Sequence, residues 1–226
     1  YDDNNDLYVS LIMEAKKSSN EIINQAKDEV ENISRAFIVA DPGMVQFGFV
    51  DTVYSQLELR DEPVKTAIYG TVQPDPTLGQ TIEIAQQLRQ FKPDTIIALG
   101  GGSALDAAKI ARYIYEYSLD EEADFLDNYE KVSELFFKLQ QKFLDIRKRV
   151  VKFKKQNETK LISIPTTSGT GSEVTPYSVI TDDHTHVKYP LTDYELTPQV
   201  AIVDPEFVLT VPRRTVALSG LDTLSH

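Results

Sequence analysis

The stretch Asp94-Thr95-Ile96-Ile97-Ala98-Leu99-Gly100-Gly101-Gly102-Ser103-Ala104-Leu105-Asp106-Ala107-Ala108-Lys109 decides the fold. Its first half is apolar without alternation, the pattern of a strand buried on both faces of a parallel sheet. Three glycines then permit a tight turn, and the residues from Ser103 to about Tyr117 read as a helix. The turn also has a chemical reading. Glycines let a phosphate approach the backbone, and the free N–H groups at the positive end of a helix attract it. A strand-to-helix turn that binds nothing stays open as the alternative. The segment is not G-x-G-x-x-G, because Leu105 holds the last glycine position, and no Gly-Lys-Ser/Thr follows to make a Walker loop.

The same rhythm extends in both directions. Upstream, Ala36–Ala40 reads as a strand, followed by a helical stretch to Leu59, a β-rich run from Val64 to Tyr69, and a helix from Thr77 to Phe91. Downstream lie β-like pieces at Leu161–Ile164, Ser178–Thr181 and Val200–Asp204, and Pro212 suits the first turn of a helix running to the last residue. Strands alternating with helices predict an α/β protein with a Rossmann-like, doubly wound parallel sheet and flanking helices. Residues 118–158 break the pattern with an acidic block followed by a basic one. Helical spacing persists there through Val132, Leu135, Phe136, Leu139, Phe143, Ile146 and Val150. This reads as a helical insertion with solvated charges, or as a surface for an anionic ligand or partner. Leu7, Leu11, Ile12, Ala15, Ile22, Ile23, Ala26 and Val30 give the opening stretch an amphipathic helical spacing. The expected plan is therefore a helical segment over 1–34, a nucleotide-binding α/β domain over 35–211, and the start of a further helical domain over 212–226.

Composition narrows the function. The 226 residues include 35 acidic and 23 basic side chains, a formal charge of -12, which disfavours nucleic acid as the partner. No apolar run reaches membrane-spanning length, and no basic-then-apolar leader is seen, so no membrane partner and a cytoplasmic location are expected. With no Cys, disulfides, thiolate catalysis and Cys-ligated zinc are excluded.

Three further segments carry chemistry. Asp41 ends the first core strand, where a carboxylate can accept hydrogen bonds from an adenosine ribose and repel a 2′-phosphate, favouring NAD over NADP. A turn or cap residue before Pro42 is the equal alternative. Pro165-Thr166-Thr167-Ser168-Gly169-Thr170-Gly171-Ser172-Glu173 offers consecutive hydroxyls after a strand, either for a nucleotide or as a polar loop. In Gly220-Leu221-Asp222-Thr223-Leu224-Ser225-His226, Asp222 and His226 stand four apart, so on a helix they share a face and can share a cation suited to iron or zinc. A surface ion pair is the other reading. His184 and His186 read as exposed turn residues.

Taken together, the motifs resemble the iron-dependent alcohol dehydrogenase family. The resemblance is greatest to the alcohol dehydrogenase half of bacterial bifunctional aldehyde-alcohol dehydrogenases. It is carried by Gly100-Gly101-Gly102-Ser103 with Asp106-Ala107-Ala108-Lys109, the run Thr166 to Pro176, Lys188-Tyr189-Pro190-Leu191, Pro198 to Pro205, and Gly220-Leu221-Asp222 with His226. The fold it implies is the N-terminal domain of the iron alcohol dehydrogenase and dehydroquinate synthase-like proteins. By position, the resemblance implies that Asp41 meets the adenosine ribose and Asp75 makes a polar cofactor contact. Gly101, Gly102 and Ser103 would cradle the pyrophosphate. Thr166, Thr167 and Thr170 would line the cleft, with Val179 and Lys188 further along, and Asp222 and His226 would be the first two metal ligands. The implied activity is NAD-dependent interconversion of small aldehydes and primary alcohols, with Fe2+ (or Zn2+) as Lewis acid and a homodimer or larger assembly in the intact protein. The family's remaining ligands would follow His226, so this chain is expected to be the cofactor half with little turnover alone. A related polyol dehydrogenase and a non-catalytic nucleotide-binding or assembly fragment are the other readings.

Overall fold

The computed structural model describes residues 11–14, 33–62, 64–142, 159–209 and 211–225. Its centre is a six-stranded, all-parallel sheet in the order β1-β8-β5-β4-β2-β3. Central strands β2 (Arg35–Ala40), β4 (Thr95–Gly100) and β5 (Lys160–Pro165) are the buried apolar runs expected, flanked by β3 (Lys65–Tyr69) and β8 (Val200–Val203). The outermost strand, β1 (Leu11–Glu14), corrects the helical reading of the opening stretch at those four residues. Leu11 aligns with Val200 and Glu14 with Val203, so a vacant sheet edge outweighs the helical spacing. The rest of 1–32 lies outside the described residues.

Both sheet faces are covered, as period-two alternation along β2 requires. Phe37 and Val39 face a core built with α3 (Leu78–Phe91), α4 (Gly102–Ser118) and α5 (Tyr129–Lys142). Ile38 and Ala40 face the other core, with Val50, Val53 and Leu57 of α2 (Phe49–Glu58) and Phe207. The single helix expected up to Leu59 is divided: α1 (Pro42–Gln46) ends before Gly48, whose φ of 77° lies in the left-handed region that favours glycine. Thr77 caps α3, its side chain accepting from the Gln80 amide, so the expected start is off by one residue. Within 118–158 the helical insertion is described in part: turns and a short 3-10 helix at Phe125–Asp127 lead into α5, and residues 143–158 lie outside the described residues.

An antiparallel hairpin packs on α4 and α5. It joins β6 (Tyr177–Thr181) to β7 (Lys188–Thr192), in register from Tyr177 opposite Thr192 to Thr181 opposite Lys188. The last helix, α6 (Arg213–Ser225), has no buried residue. Among the described residues, no helix is long and apolar enough to cross a membrane.

Candidate functional site

The chain order of the sheet singles out one place. From β2 the chain moves outward to β3, then returns across β2 to β4, so the winding direction reverses between β2 and β4. In open parallel sheets, ligands bind outside the carboxyl ends of the strands at such a reversal. Here those ends are Asp41 and Gly100, one position beyond the Ala40–Leu99 pairing.

Asp41 resolves its two readings by fulfilling one and leaving room for the other. Oδ1 caps α1, accepting from the Gly43 amide at 2.8 Å and the Met44 amide at 3.2 Å. Oδ2 lies on the Gly100 side, 2.7 Å from where a Cβ on Gly100 would stand; that Cβ would also meet Ala104 Cβ at 2.7 Å. With φ at 149°, Gly100 is glycine for reasons of both backbone and space. Gly101 is the N-cap of α4, its carbonyl accepting from the Ala104 and Leu105 amides. Gly102 and Ser103, in the first turn, have no intrahelical carbonyl to bond.

The hydroxyl loop after β5 stands against this turn. Thr166 is buried and its amide donates to the Gly100 carbonyl at 2.9 Å. A Cβ on Gly101 would lie 3.3 Å from Thr167 Cγ2, and one on Gly102 would lie 3.0 Å from Thr170 Cγ2. On its far side the loop touches α6: a Cβ on Gly169 would meet the Ser219 carbonyl at 2.9 Å and Asp222 Oδ2 at 3.3 Å. One loop therefore lies between the glycine turn and Asp222. His226 lies outside the described residues. Among the described residues, no group of three His, Asp or Glu is placed to hold a metal, so Asp222 does not make a metal site with them.

The other expected residues flank this arrangement. The Asp75 backbone (φ 56°) directs its amide to Ser103 Oγ at 3.4 Å, while its carboxylate pairs with Lys188 Nζ at 2.7 Å. Val179 is exposed, and its amide donates to Asp106 Oδ2 at 2.9 Å. His184 is exposed beside the side-chain cap made by Asp182, whose Oδ1 accepts from the His184 and Thr185 amides; these donors hold its carboxyl below the usual range.

A cleft of about 500 Å³ opens over the switch point, within the range of small-molecule sites. Asp41, Gly101, Gly102, Ser103, Thr166 and Thr167 line it. An apolar part of the lining goes beyond the residues expected from the sequence: Phe47 and Phe49, the latter edge-on to Phe207 at 5.1 Å, with Val211, Pro212 and Thr215 at the start of α6. The Phe47-Gly48-Phe49 triplet was its sequence signal, hidden while the stretch read as one helix. The chemistry of this lining fits a dinucleotide: a carboxylate for hydroxyls, open amides at a helix N-terminus for a pyrophosphate, neutral hydroxyls between, and an apolar wall for a ring.

A parallel sheet with a carboxylate and a glycine turn across its switch point defines a doubly wound α/β protein of the nucleotide-binding type. The chain belongs to the iron-containing alcohol dehydrogenase family, whose model matches residues 17–205. That match starts inside the opening stretch and stops before α6. The chain is 48% identical over 203 residues to the aldehyde-alcohol dehydrogenase of Streptococcus pneumoniae, covering 89% of this chain and 21% of the relative. It thus spans about a fifth of that protein's length. A solved archaeal, halo-thermophilic alcohol dehydrogenase from a Red Sea brine pool superposes with a TM-score of 0.72 at 29% identity, over 92% of this chain and 47% of its own. Sulfoacetaldehyde reductase of Bifidobacterium kashiwanohense, solved with NAD+, superposes with a TM-score of 0.69 at 27% identity, over 95% and 49% of the two chains.

Proposed function

We propose that this chain is the cofactor-binding part of an NAD-dependent, iron-type alcohol dehydrogenase acting on small aldehydes and primary alcohols. One observation carries the reading: at the switch point Gly100 admits no Cβ, because Ala104 and the Asp41 carboxylate fill that space, and Asp41 itself lines the cleft with Gly101, Gly102 and Ser103. The relatives named for aldehyde and alcohol chemistry support the substrate class. The NAD+ complex of the reductase supports the cofactor.

In this reading the Gly102 and Ser103 amides bind the pyrophosphate at the positive end of α4, where Gly101 keeps the approach open. Asp41 Oδ2 accepts from the adenosine ribose and repels a 2′-phosphate. Thr166, Thr167 and Thr170 give neutral hydrogen bonds beside the turn, and Phe47 and Phe49 exclude water from the base. Asp75, Val179 and Lys188 border the same turn from the hairpin side, with Lys188 exchanging its Asp75 partner for a cofactor oxygen. The bound dinucleotide supplies the hydride carrier. Asp222 and His226 are proposed as two ligands of the family's metal, with Fe2+ preferred over Zn2+, and the metal supplies a Lewis acid for the substrate oxygen. A homodimer or larger assembly and a cytoplasmic location belong to the same proposal, resting on the family resemblance and the Cys-free, acidic composition.

The test is NADH fluorescence on adding the chain, with ADP-ribose as competitor. Saturable enhancement displaced by ADP-ribose, and lost in Gly102→Val, is the expected result. No enhancement by the folded chain, or none displaced by ADP-ribose, contradicts it.

A further inference from the structure

Among the residues lining the cleft, one side chain carries a chemistry that cofactor binding does not use. The chain has no Cys and two Met, so all its sulfur lies in Met13 and Met44. Met13 belongs to the outermost strand, β1. Met44 lines the cleft, half-buried, in the middle of α1.

That position ties the thioether to the rest of the site. Helix α1 has five residues, none of them buried. At its start, Asp41 Oδ1 accepts from the Gly43 and Met44 amides. From its middle, Met44 packs against the core that contains Val50, Val53 and Phe207. Val45 beside it rests on Gly70 and stays 46% exposed. So short a helix does not persist on its own hydrogen bonds and depends on this packing. A change at Met44 is therefore passed to Asp41, which caps α1 and lines the same cleft.

A thioether is apolar and adaptable, which suits a lining shared with Phe47, Phe49 and Phe207. Its sulfur is also the group in this cleft most open to oxidation by a peroxide, and no thiol in the chain competes for the oxidant. In that step the sulfur lone pair attacks one peroxide oxygen, the S–O bond forms and the O–O bond breaks. The departing hydroxide takes the proton of the transferred hydroxyl and leaves as water. Sulfur loses two electrons and the peroxide gains them. The product puts a polar S=O where an apolar side chain met the core, and sulfoxide reductases remove it.

We propose that Met44 is a reversible oxidation site: hydrogen peroxide converts it to the sulfoxide in the open cleft, bound dinucleotide shields it, and the sulfoxide loosens α1 and lowers dinucleotide affinity. The proposal rests on the dinucleotide reading above.

The experiment treats the metal-free chain with hydrogen peroxide, with and without NAD. Peptide mass spectrometry follows the gain of one oxygen at Met44, with Met13 read on a separate peptide. NAD affinity by calorimetry and the urea midpoint are measured before treatment, after it, and after the two epimer-specific sulfoxide reductases. NAD at about ten times its dissociation constant is expected to slow oxidation at Met44 roughly tenfold. The sulfoxide is expected to weaken NAD by roughly tenfold, and the reductases to restore it. Met44→Leu, which has no sulfur at the cleft, should keep through the same treatment whatever affinity it starts with. Where the oxidised chain does not stay folded, the shielding decides, because it is read on the native chain: slowing by NAD upholds the proposal and equal rates overturn it. Three results overturn the proposal alone: no oxidation at Met44 under peroxide that converts free methionine, an affinity of the folded sulfoxide form that is unchanged or not restored by the reductases, or the same loss in Met44→Leu. Failure of untreated wild type to bind NAD overturns the dinucleotide reading and this proposal with it.

Discussion

Adjacent glycines at the turn carry different loads, and substitution separates them. Gly100 combines a φ of 149° with two contacts of 2.7 Å for any added Cβ, one of them to a helix side chain that cannot move aside. Gly100→Ala is expected to cost on the order of 2 to 4 kcal/mol in urea denaturation; a loss under about 0.5 kcal/mol would show the turn differently built. Gly102 sits at the first position of α4 with an ordinary φ, and the atom nearest its Cβ is a methyl of the exposed Thr170. Gly102→Ala is expected to change stability by less than about 1 kcal/mol while weakening NAD by roughly tenfold, read by denaturation and calorimetry on the same sample.

Lys109 adds a pH signature at the same scale. Burial holds its folded pKa at about 8, below the ordinary lysine value of 10.5, so between these values the unfolded chain binds more protons and stability rises with pH. The phenols of buried Tyr113 and partly buried Tyr129 shift upward and act only above the ordinary tyrosine value of 10.0. Urea midpoints from pH 8 to 10 should therefore climb more steeply in wild type than in Lys109→Met. Parallel curves would contradict the assignment.

Elements show how much was legible in the chain and why. Strands β2, β4 and β5 were readable because burial on both faces writes itself as an unbroken apolar run. Strand β7 was not: Pro190 within Lys188–Thr192 signals against a strand, and it is tolerated because the hairpin has only two strands and leaves one edge free of a ladder. The division of α1 from α2 depends on one left-handed glycine, and β1 on a partner strand almost two hundred residues away in the chain, a contact that local spacing does not encode. The site followed the same rule. Asp41, the glycine turn and the hydroxyl loop each lie at the end of a readable strand, whereas the Asp183 cap on α3 joins residues 104 apart. Asp183→Ala leaves the Gly79 amide without that acceptor and is expected to cost about 1 kcal/mol in urea denaturation, with faster exchange at the N-terminus of α3. Unchanged exchange there would remove the cap from the account.

At the scale of the molecule, the switch point collects what the chain distributes over 41–215. It brings the Asp41 carboxylate, the α4 N-terminus, the Thr166–Thr170 loop and the start of α6 around one cleft in a protein of net charge -12. An acidic protein that takes an anionic cofactor must do so through local dipoles rather than its overall field, which is the work assigned to the α4 amides. The most direct test is a calorimetric titration of the metal-free chain with NAD and then NADP, with Asp41→Ala beside wild type. The account predicts saturable NAD binding, NADP weaker by at least about tenfold, and a narrowed gap between the two in Asp41→Ala. NADP binding as tightly as NAD, or neither binding to the folded chain, would contradict it.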